Sequence, residues 1–532
     1  MSTNPPIVST GPGDPVEEDD PTIHDARQRR AILIAVCIAL MAVIASVTGL
    51  NVAQPDLAVE FDASQSTVLW FINLYTISLA ALLLPLGALG DRIGRKPVLL
   101  VGLMIFGAAN LAAGLATSSE MMLASRFLSG VGAAMIMPVT LAVITSTFPE
   151  EERAKGIGVW TGVAGGGGIL GMYLSALLVD VATWRWLFAL PVVLVLVAVA
   201  MIVRSVPNSR EHTRHGFDMV GSTTSVLAVL GLIFALHEGP VHGWTEPATM
   251  IGLIGGIIAA VAFVAWELRQ TAPLLDVRLF VERSLAGGSV TLLLVFGVQA
   301  GIFVVLFPFL QAVLGWSALR ATLAMMPMAL LMMLASGLAP QVAARIGARV
   351  TMATGILLVG TGLALMASLV SVEGGYLAVL PGMLAMGLGM GLSMTPATEA
   401  ITGSLPRERQ GVASALNDVT RELGTALGIA LLGAGLSAGY KGAIDDHLDG
   451  VPDDVADSAR EGVANAIAAA GGAGDQASAV VRAAQESFVA GWQDAMWAGA
   501  AVMAVLFVYV LARGPRPAVE PEPADQVTEV HR

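Results

Sequence analysis

Gly87-Ala88-Leu89-Gly90-Asp91-Arg92-Ile93-Gly94-Arg95-Lys96 is a short basic turn set between two long apolar runs, and the rest of the chain is read outward from it. Glycine at 87 permits close approach of a neighbouring helix. The carboxylate of Asp91 can accept charge-assisted hydrogen bonds from a nearby arginine or from a helix N-terminus. A degenerate copy, Ala344-Arg345-Ile346-Gly347-Ala348-Arg349, recurs downstream. Alanine stands there in the place of Asp91, so only the first copy carries the carboxylate.

The runs on either side set the fold class. Of 532 residues, 55% are hydrophobic and 13% charged, whereas a soluble domain carries about 25% charged residues. At about 20 apolar residues per transmembrane helix, that composition fills roughly fourteen spans. They are expected at 31–53, 67–89, 98–116, 121–148, 157–178, 187–206, 219–236, 250–267, 285–311, 321–339, 350–370, 376–400, 412–436 and 488–512. Helices satisfy their own backbone in lipid, and nothing shows the alternation of a β-barrel. The two related turns follow the second and tenth spans. The expected architecture is therefore all-α and polytopic, with two pseudo-symmetric six-helix bundles and an inserted helix pair.

In residue terms this gives a disordered cytoplasmic tail at 1–30, a first bundle at 31–206, the inserted pair at 207–283, a second bundle at 284–512 and a disordered tail at 513–532. The second bundle includes an outer, partly helical loop at 437–487. Of the 28 Lys and Arg residues, 21 fall in segments on the side of the N-terminus, five on the opposite side, and Arg126 and Arg421 inside spans. That bias places both termini in the cytoplasm. The single cysteine, Cys37, lies in an apolar run, so there is no disulfide framework and no cysteine metal site. The seven histidines form no HExxH pattern. A net charge of −13 argues against a nucleic-acid partner. Neither metal nor cofactor is expected, and the partner that this composition itself implies is the bilayer.

Charges inside spans are expensive and mark functional candidates. Arg126 lies in the fourth span, with Gly130 and Ala133 on the same face. In the thirteenth, Glu422 is deep and Asp418 precedes it by one turn. Arg421 is adjacent to Glu422, but neighbouring side chains diverge on a helix. Glu399 stands near the inner end of the twelfth span, and Asp494 in the fourteenth. A deep carboxyl with a like charge one turn away suits a proton-binding switch, which makes Glu422 the first candidate. The fifth span carries Gly165-Gly166-Gly167-Gly168 and Gly171, a small-residue packing face. The methionines at 325, 326, 328, 332, 333, 386, 390 and 394 fit either a plastic pocket or ordinary core packing. Trp70, Tyr75, Phe303, Phe307 and Phe309 can supply aromatic stacking.

These segments together resemble the major facilitator superfamily and, within it, the fourteen-helix drug:proton antiporters of the actinobacterial and quaternary-ammonium type. Gly87 to Lys96 matches the family's loop 2–3 motif, and Leu123 to Ala134 its helix 4 motif. Asn51-Val-Ala-Gln-Pro55, Trp184-Arg-Trp186 and Ser414 to Gly424 also resemble segments of that family. The resemblance implies that Gly87, Asp91, Arg92, Gly94 and Arg95 form a conformational latch at the cytoplasmic side. It associates Arg126 with proton coupling, together with Glu422, Asp418 and Glu399 as acidic candidates. Gly167, Gly168 and Gly171 occupy a degenerate antiporter motif, with Gly168 where proline is usual. Many relatives carry aspartates where this chain has Ser46 and Asn73. Those two residues join Asn51, Tyr75, Phe303 and Phe307 as candidates for lining the substrate cavity.

The expected function is secondary active export of amphiphilic drugs, antibiotics or dyes across the cytoplasmic membrane. It works by alternating access, is driven by the proton gradient, and is carried out by a monomer. Loss of the two aspartates favours neutral or singly charged substrates over dications. A dedicated exporter of an endogenous metabolite or lipid is the alternative. An intramembrane enzyme would need a nucleophile–base pair or an acid cluster at a membrane face, and none is present.

Overall fold

A computed structural model of the protein describes residues 22–50, 53–209, 216–448 and 450–515. Among the described residues, fourteen helices are long and apolar enough to cross a membrane. The first six are α1 (Ala26–Gly49), α2 (Gln65–Ile93), α3 (Arg95–Gly114), α4 (Ser119–Thr147), α5 (Glu150–Val181) and α6 (Trp186–Ser205). The inserted pair is α7 (Met219–His242) and α8 (Pro247–Glu267). The last six are α9 (Arg283–Pro308), α10 (Ala318–Ile346), α11 (Ala348–Leu369), α12 (Gly375–Thr402), α13 (Gln410–Ile444) and α14 (Ala477–Arg513).

Side-chain caps fix several starts by satisfying orphan N–H groups. Asp25 accepts from the Arg27 N–H at 2.9 Å, Ser64 from Thr67 at 3.2 Å and Asp218 from Gly221 at 2.7 Å. Glycines in the left-handed region stop α2 and α10 at equivalent places: Gly94 has φ 124° and Gly347 has φ 87°. A Cβ at Gly94 would also sit 2.5 Å from the Asn208 side chain.

The two halves repeat one contact pattern. In the first, α1 packs on α4, α5 and α6, α2 on α4, and α3 on α4 and α6. In the second, α9 packs on α12, α13 and α14, α10 on α12, and α11 on α12 and α14. The seam between halves is symmetric as well, since α2 and α4 meet α13 while α10 and α12 meet α5. Helix α7 leans on both α2 and α13, whereas α8 lies against α7.

Several expected boundaries move. The N-terminal tail does not extend to residue 30. The cap at Asp25 starts α1 at Ala26, and Ile23 before it is buried and donates its N–H to the Thr147 carbonyl at 2.9 Å. Residues 1–21 and 516–532, the rest of the expected tails, lie outside the described residues. The first span ends at Gly49, and Gln54–Glu60 forms a separate short helix with proline in its first turn. The outer loop is shorter than 437–487, because α13 runs on to Ile444 and α14 starts at Ala477. Between them, Asp453–Glu461 and Val463–Ala469 are helical. The Tyr440 hydroxyl donates to the Ala459 carbonyl at 2.7 Å and fastens this outer cap to α13.

Candidate transport and coupling site

The turn after α2 joins the two halves at their cytoplasmic ends. The Asp91 carboxylate is 2% exposed. One oxygen accepts from Arg95 Nε at 3.1 Å, Arg95 Nη2 at 2.8 Å and the Gly411 N–H at 2.8 Å. The other accepts from the Val412 N–H at 3.1 Å. Asp91 thus caps the N-terminus of α13, where a negative charge is favoured by free N–H groups and the helix dipole. Arg95 extends the tie by donating to the carbonyls of Arg407 at 2.9 Å and Glu408 at 3.2 Å. Gly87 allows the approach, because a Cβ there would lie 2.6 Å from the Gly411 carbonyl oxygen. Arg92 points outward and is exposed.

Arg126 is wholly buried and binds oxygens rather than a carboxylate. Nε donates to the Phe71 carbonyl at 2.9 Å, Nη1 to Ser46 Oγ at 3.0 Å and Nη2 to the Ser46 carbonyl at 3.3 Å. Its guanidinium stands 4.3 Å over the Tyr75 ring. Ser46 Oγ donates onward to Asn110 Oδ1 at 3.0 Å. One side chain on α4 therefore gathers α1, α2 and α3, and Ser46 belongs to its shell. Gly130 makes room, since a Cβ there would meet the Tyr75 carbonyl oxygen at 2.6 Å.

Across the seam, α13 presents its charges in two directions. Arg421 turns away from Glu422, donates to Asp418 at 3.4 Å, and places its guanidinium 4.4 Å from the Phe296 ring and 5.2 Å from that of Trp160. Asp418 is fully buried, and its second oxygen has no hydrogen-bond partner among the described residues. Glu422 is half-buried, and within electrostatic reach of Tyr75 on the opposite half. Among the described residues no hydrogen bond or ion pair holds its carboxylate. Glu399 stands elsewhere, lining a cytoplasmic cavity near Arg153.

The glycines of α5 serve two faces. Gly158, Gly162 and Gly166 lie against α10, where Cβ atoms would meet the Ser336 carbonyl oxygen at 2.6 Å, Met333 Cα at 3.3 Å and Met333 Cγ at 2.5 Å. Gly167 and Gly171 lie against α1, next to Met41 and Thr48, and Gly168 is nearly open. Asn73, Phe303 and Phe307 are half-buried on α2 and α9. Asn51 lies outside the described residues. Met325, Met328 and Met332 on α10, with Met386, Met390 and Met394 on α12, are buried to 1% or less, while Met326 and Met333 are half-buried.

Two features escaped the sequence reading. Gln299 on α9 donates to the Gly165 carbonyl at 3.4 Å, which bridges the halves at the glycine run. Asp218 and Glu267 meet at the base of the inserted pair. There Trp266 Nε1 donates to Asp218 at 3.0 and 3.2 Å, and Glu267 is buried beside it, its carboxyl facing the Leu274 and Leu275 backbone. A signal was available, since antiparallel neighbours bring the start of α7 beside the end of α8.

The sequence profile of the Major Facilitator Superfamily matches residues 36–429, well over half of the chain. The chain belongs to the major facilitator superfamily. Multidrug resistance protein Stp of Mycobacterium tuberculosis is 30% identical to this superfamily member over 400 residues, covering 75% of this chain and 74% of Stp. Methyl viologen resistance protein SmvA of Salmonella typhimurium is 30% identical over 404 residues, covering 74% and 79%. Among solved structures, the human organic anion transporter MFSD10 shares the fold with a TM-score of 0.61 at 15% identity, over 91% of this chain and 99% of that one. As a member of this superfamily, the chain is a multi-pass transporter of the cytoplasmic membrane and not an enzyme.

Proposed function

We propose that this transporter exports small amphiphilic compounds, of the drug, dye or antibiotic type, in exchange for protons. The relatives named for multidrug and methyl viologen resistance support the export of foreign compounds. The observation that carries the coupling is Glu422. A half-buried carboxylate with no hydrogen bond or ion pair among the described residues, placed at the seam within electrostatic reach of Tyr75, can take a proton or answer a substrate as the halves rock. Asp418 is already engaged by Arg421 and Asn417, which leaves it a supporting part. The latch at Asp91 holds the cytoplasmic ends of α2 and α13 together in one of the two states. Driving force is adequate when each cycle carries one net charge inward, as in two protons for a monocation or one for a neutral compound, since one charge crossing about 150 mV yields about 3.5 kcal/mol. At 1.4 kcal/mol per tenfold, that sustains a gradient of a few hundredfold. A seam built wholly within one chain supports function as a monomer.

The test uses everted vesicles carrying a pH-sensitive dye, energised by respiration and challenged with cationic, neutral and anionic amphiphiles. Substrate-evoked proton release is expected, and Glu422→Gln is expected to abolish it. Release that persists in the variant removes Glu422 from coupling. No release with intact accumulation removes proton exchange. Silence in both assays favours a dedicated metabolite exporter.

A further inference from the structure

The pseudo-symmetry gives every latch residue a counterpart, and the counterparts fail to latch. Asp91 at the end of α2 corresponds to Ala344 at the end of α10, and Arg95 at the start of α3 to Ala348 at the start of α11. Both pairs keep the same offset from the equivalent glycines, Gly94 and Gly347. The latched corner, where α2 meets α13, encloses a cavity of only about 70 Å³. The corresponding corner, where α10 meets α5, opens into a cavity of about 790 Å³ lined by Ala344 and Ala348 themselves. That volume lies within the roughly 300–1,000 Å³ of small-molecule sites.

The lining also has a sign. Glu151, Glu282 and Glu399 contribute three carboxylates against one ammonium, that of Lys155. Glu151 and Lys155 are exposed at the mouth, whereas Glu399 is half-buried on α12. Among the described residues no hydrogen-bond donor holds the Glu399 carboxylate, and Arg153 acts on it through space without forming an ion pair. Arg153 itself has Nε and Nη2 enclosed with no hydrogen-bond partner among the described residues. The wall between these charges is largely alanine, glycine and proline. A lipophilic body can lie along such a wall while its positive centre faces the acids.

We propose that the unlatched corner is a cytoplasmic loading vestibule for monocationic amphiphiles, with Glu399 as the carboxylate that recognises the cation. This rests on the export reading above and adds the place and charge class of first capture. Glu399 thereby acts in recognition at the entrance, separately from Glu422 at the seam. A single positive charge suits the vestibule, because Lys155 and Arg153 offset part of the acidic field. A dication would gain less, and an anion would meet three carboxylates.

The test places one reporter thiol in the vestibule. In a Cys37→Ser background, which removes the single native cysteine, Ala344→Cys is labelled in everted vesicles with a membrane-impermeant maleimide. Tetraphenylphosphonium is the probe and neutral triphenylphosphine oxide the control. Saturating tetraphenylphosphonium is expected to slow labelling at least about fivefold. Glu399→Gln should raise the half-protecting concentration about tenfold, equivalent to about 1.4 kcal/mol, and leave the weaker effect of the neutral control unchanged. Rebuilding the latch with Ala344→Asp and Ala348→Arg should raise the KM for tetraphenylphosphonium uptake. Unchanged labelling in vesicles that do carry tetraphenylphosphonium overturns the vestibule and leaves the export reading intact. Protection without any transport keeps the vestibule and overturns export. An unchanged half-protecting concentration in Glu399→Gln overturns the role of that carboxylate.

Discussion

Asp91→Asn is the sharpest probe of the latch, because it keeps the side-chain shape and removes one charge. In the latched state Asp91 and Arg95 are each 3% exposed in their side chains. The Asp91 oxygens accept four hydrogen bonds, three on one oxygen and one on the other. Asparagine can keep its oxygen on the three-bond side only by turning its NH₂ toward the Val412 N–H, donor against donor. Arg95 is left enclosed without a counter-ion, and removing one partner of a buried pair costs about 3–5 kcal/mol. In the unlatched state water can solvate Arg95, so nearly all of that cost falls on the latched state. At 1.4 kcal/mol per tenfold, the latched-to-unlatched ratio should fall by about two to three and a half powers of ten. Val412→Cys, which places a small thiol at a site 4% exposed beneath the latch, reports the change in the Cys37→Ser background. Its maleimide labelling rate from the cytoplasmic side should rise at least about tenfold when Asp91→Asn is added. A rate within twofold of the parent would refute the argument that this carboxylate holds the corner shut.

Arg126→Lys should abolish transport while retaining the charge, since an ammonium cannot reach the Phe71 and Ser46 oxygens together; initial rates of dye efflux check this. Ser46→Asp places a carboxylate against Arg126 Nη1 and supplies the counter-ion whose absence from a buried pair costs about 3–5 kcal/mol, so the Tm in detergent should rise. A lower Tm would show that Arg126 already has its charge balanced. Gly158→Ala drives a methyl into the Ser336 carbonyl and should cost about 1–3 kcal/mol through separation of α5 from α10, seen as a lower Tm. Tyr440→Phe removes the bond to Ala459, worth about 1 kcal/mol. Trypsin added from outside should then cut faster at Arg460.

Legibility in the sequence followed the range of the interactions. The latch was readable because its glycine, carboxylate and arginine are neighbours in the chain, although its partners, the N–H groups of Gly411 and Val412, lie 320 residues away. The span count was readable from composition, and helix ends failed where polar outer turns continue a helix past the apolar run, as α13 does to Ile444. Arg126 announced itself as a buried charge, yet its partners are largely backbone oxygens, which no residue pattern encodes. Arg421 was correctly separated from Glu422 by helix geometry, while its rings, Trp160 and Phe296, come from two other helices. The vestibule was half visible in Ala344. Its size was not, because an empty corner depends on what every surrounding helix fails to fill.

The placement of α7 makes the two edges of the molecule mechanically unequal. Along one edge a helix touches both α2 and α13, one from each bundle, with the Trp70 and Phe234 rings 6.1 Å apart in the contact. Along the other edge α5 and α10 meet through glycine and methionine. Whatever tilt the bundles execute, α7 can ride with one and must shear against the other. Opening the corner of α2 and α13 therefore has to slide a helix across a bundle face, a drag that the edge of α5 and α10 does not carry.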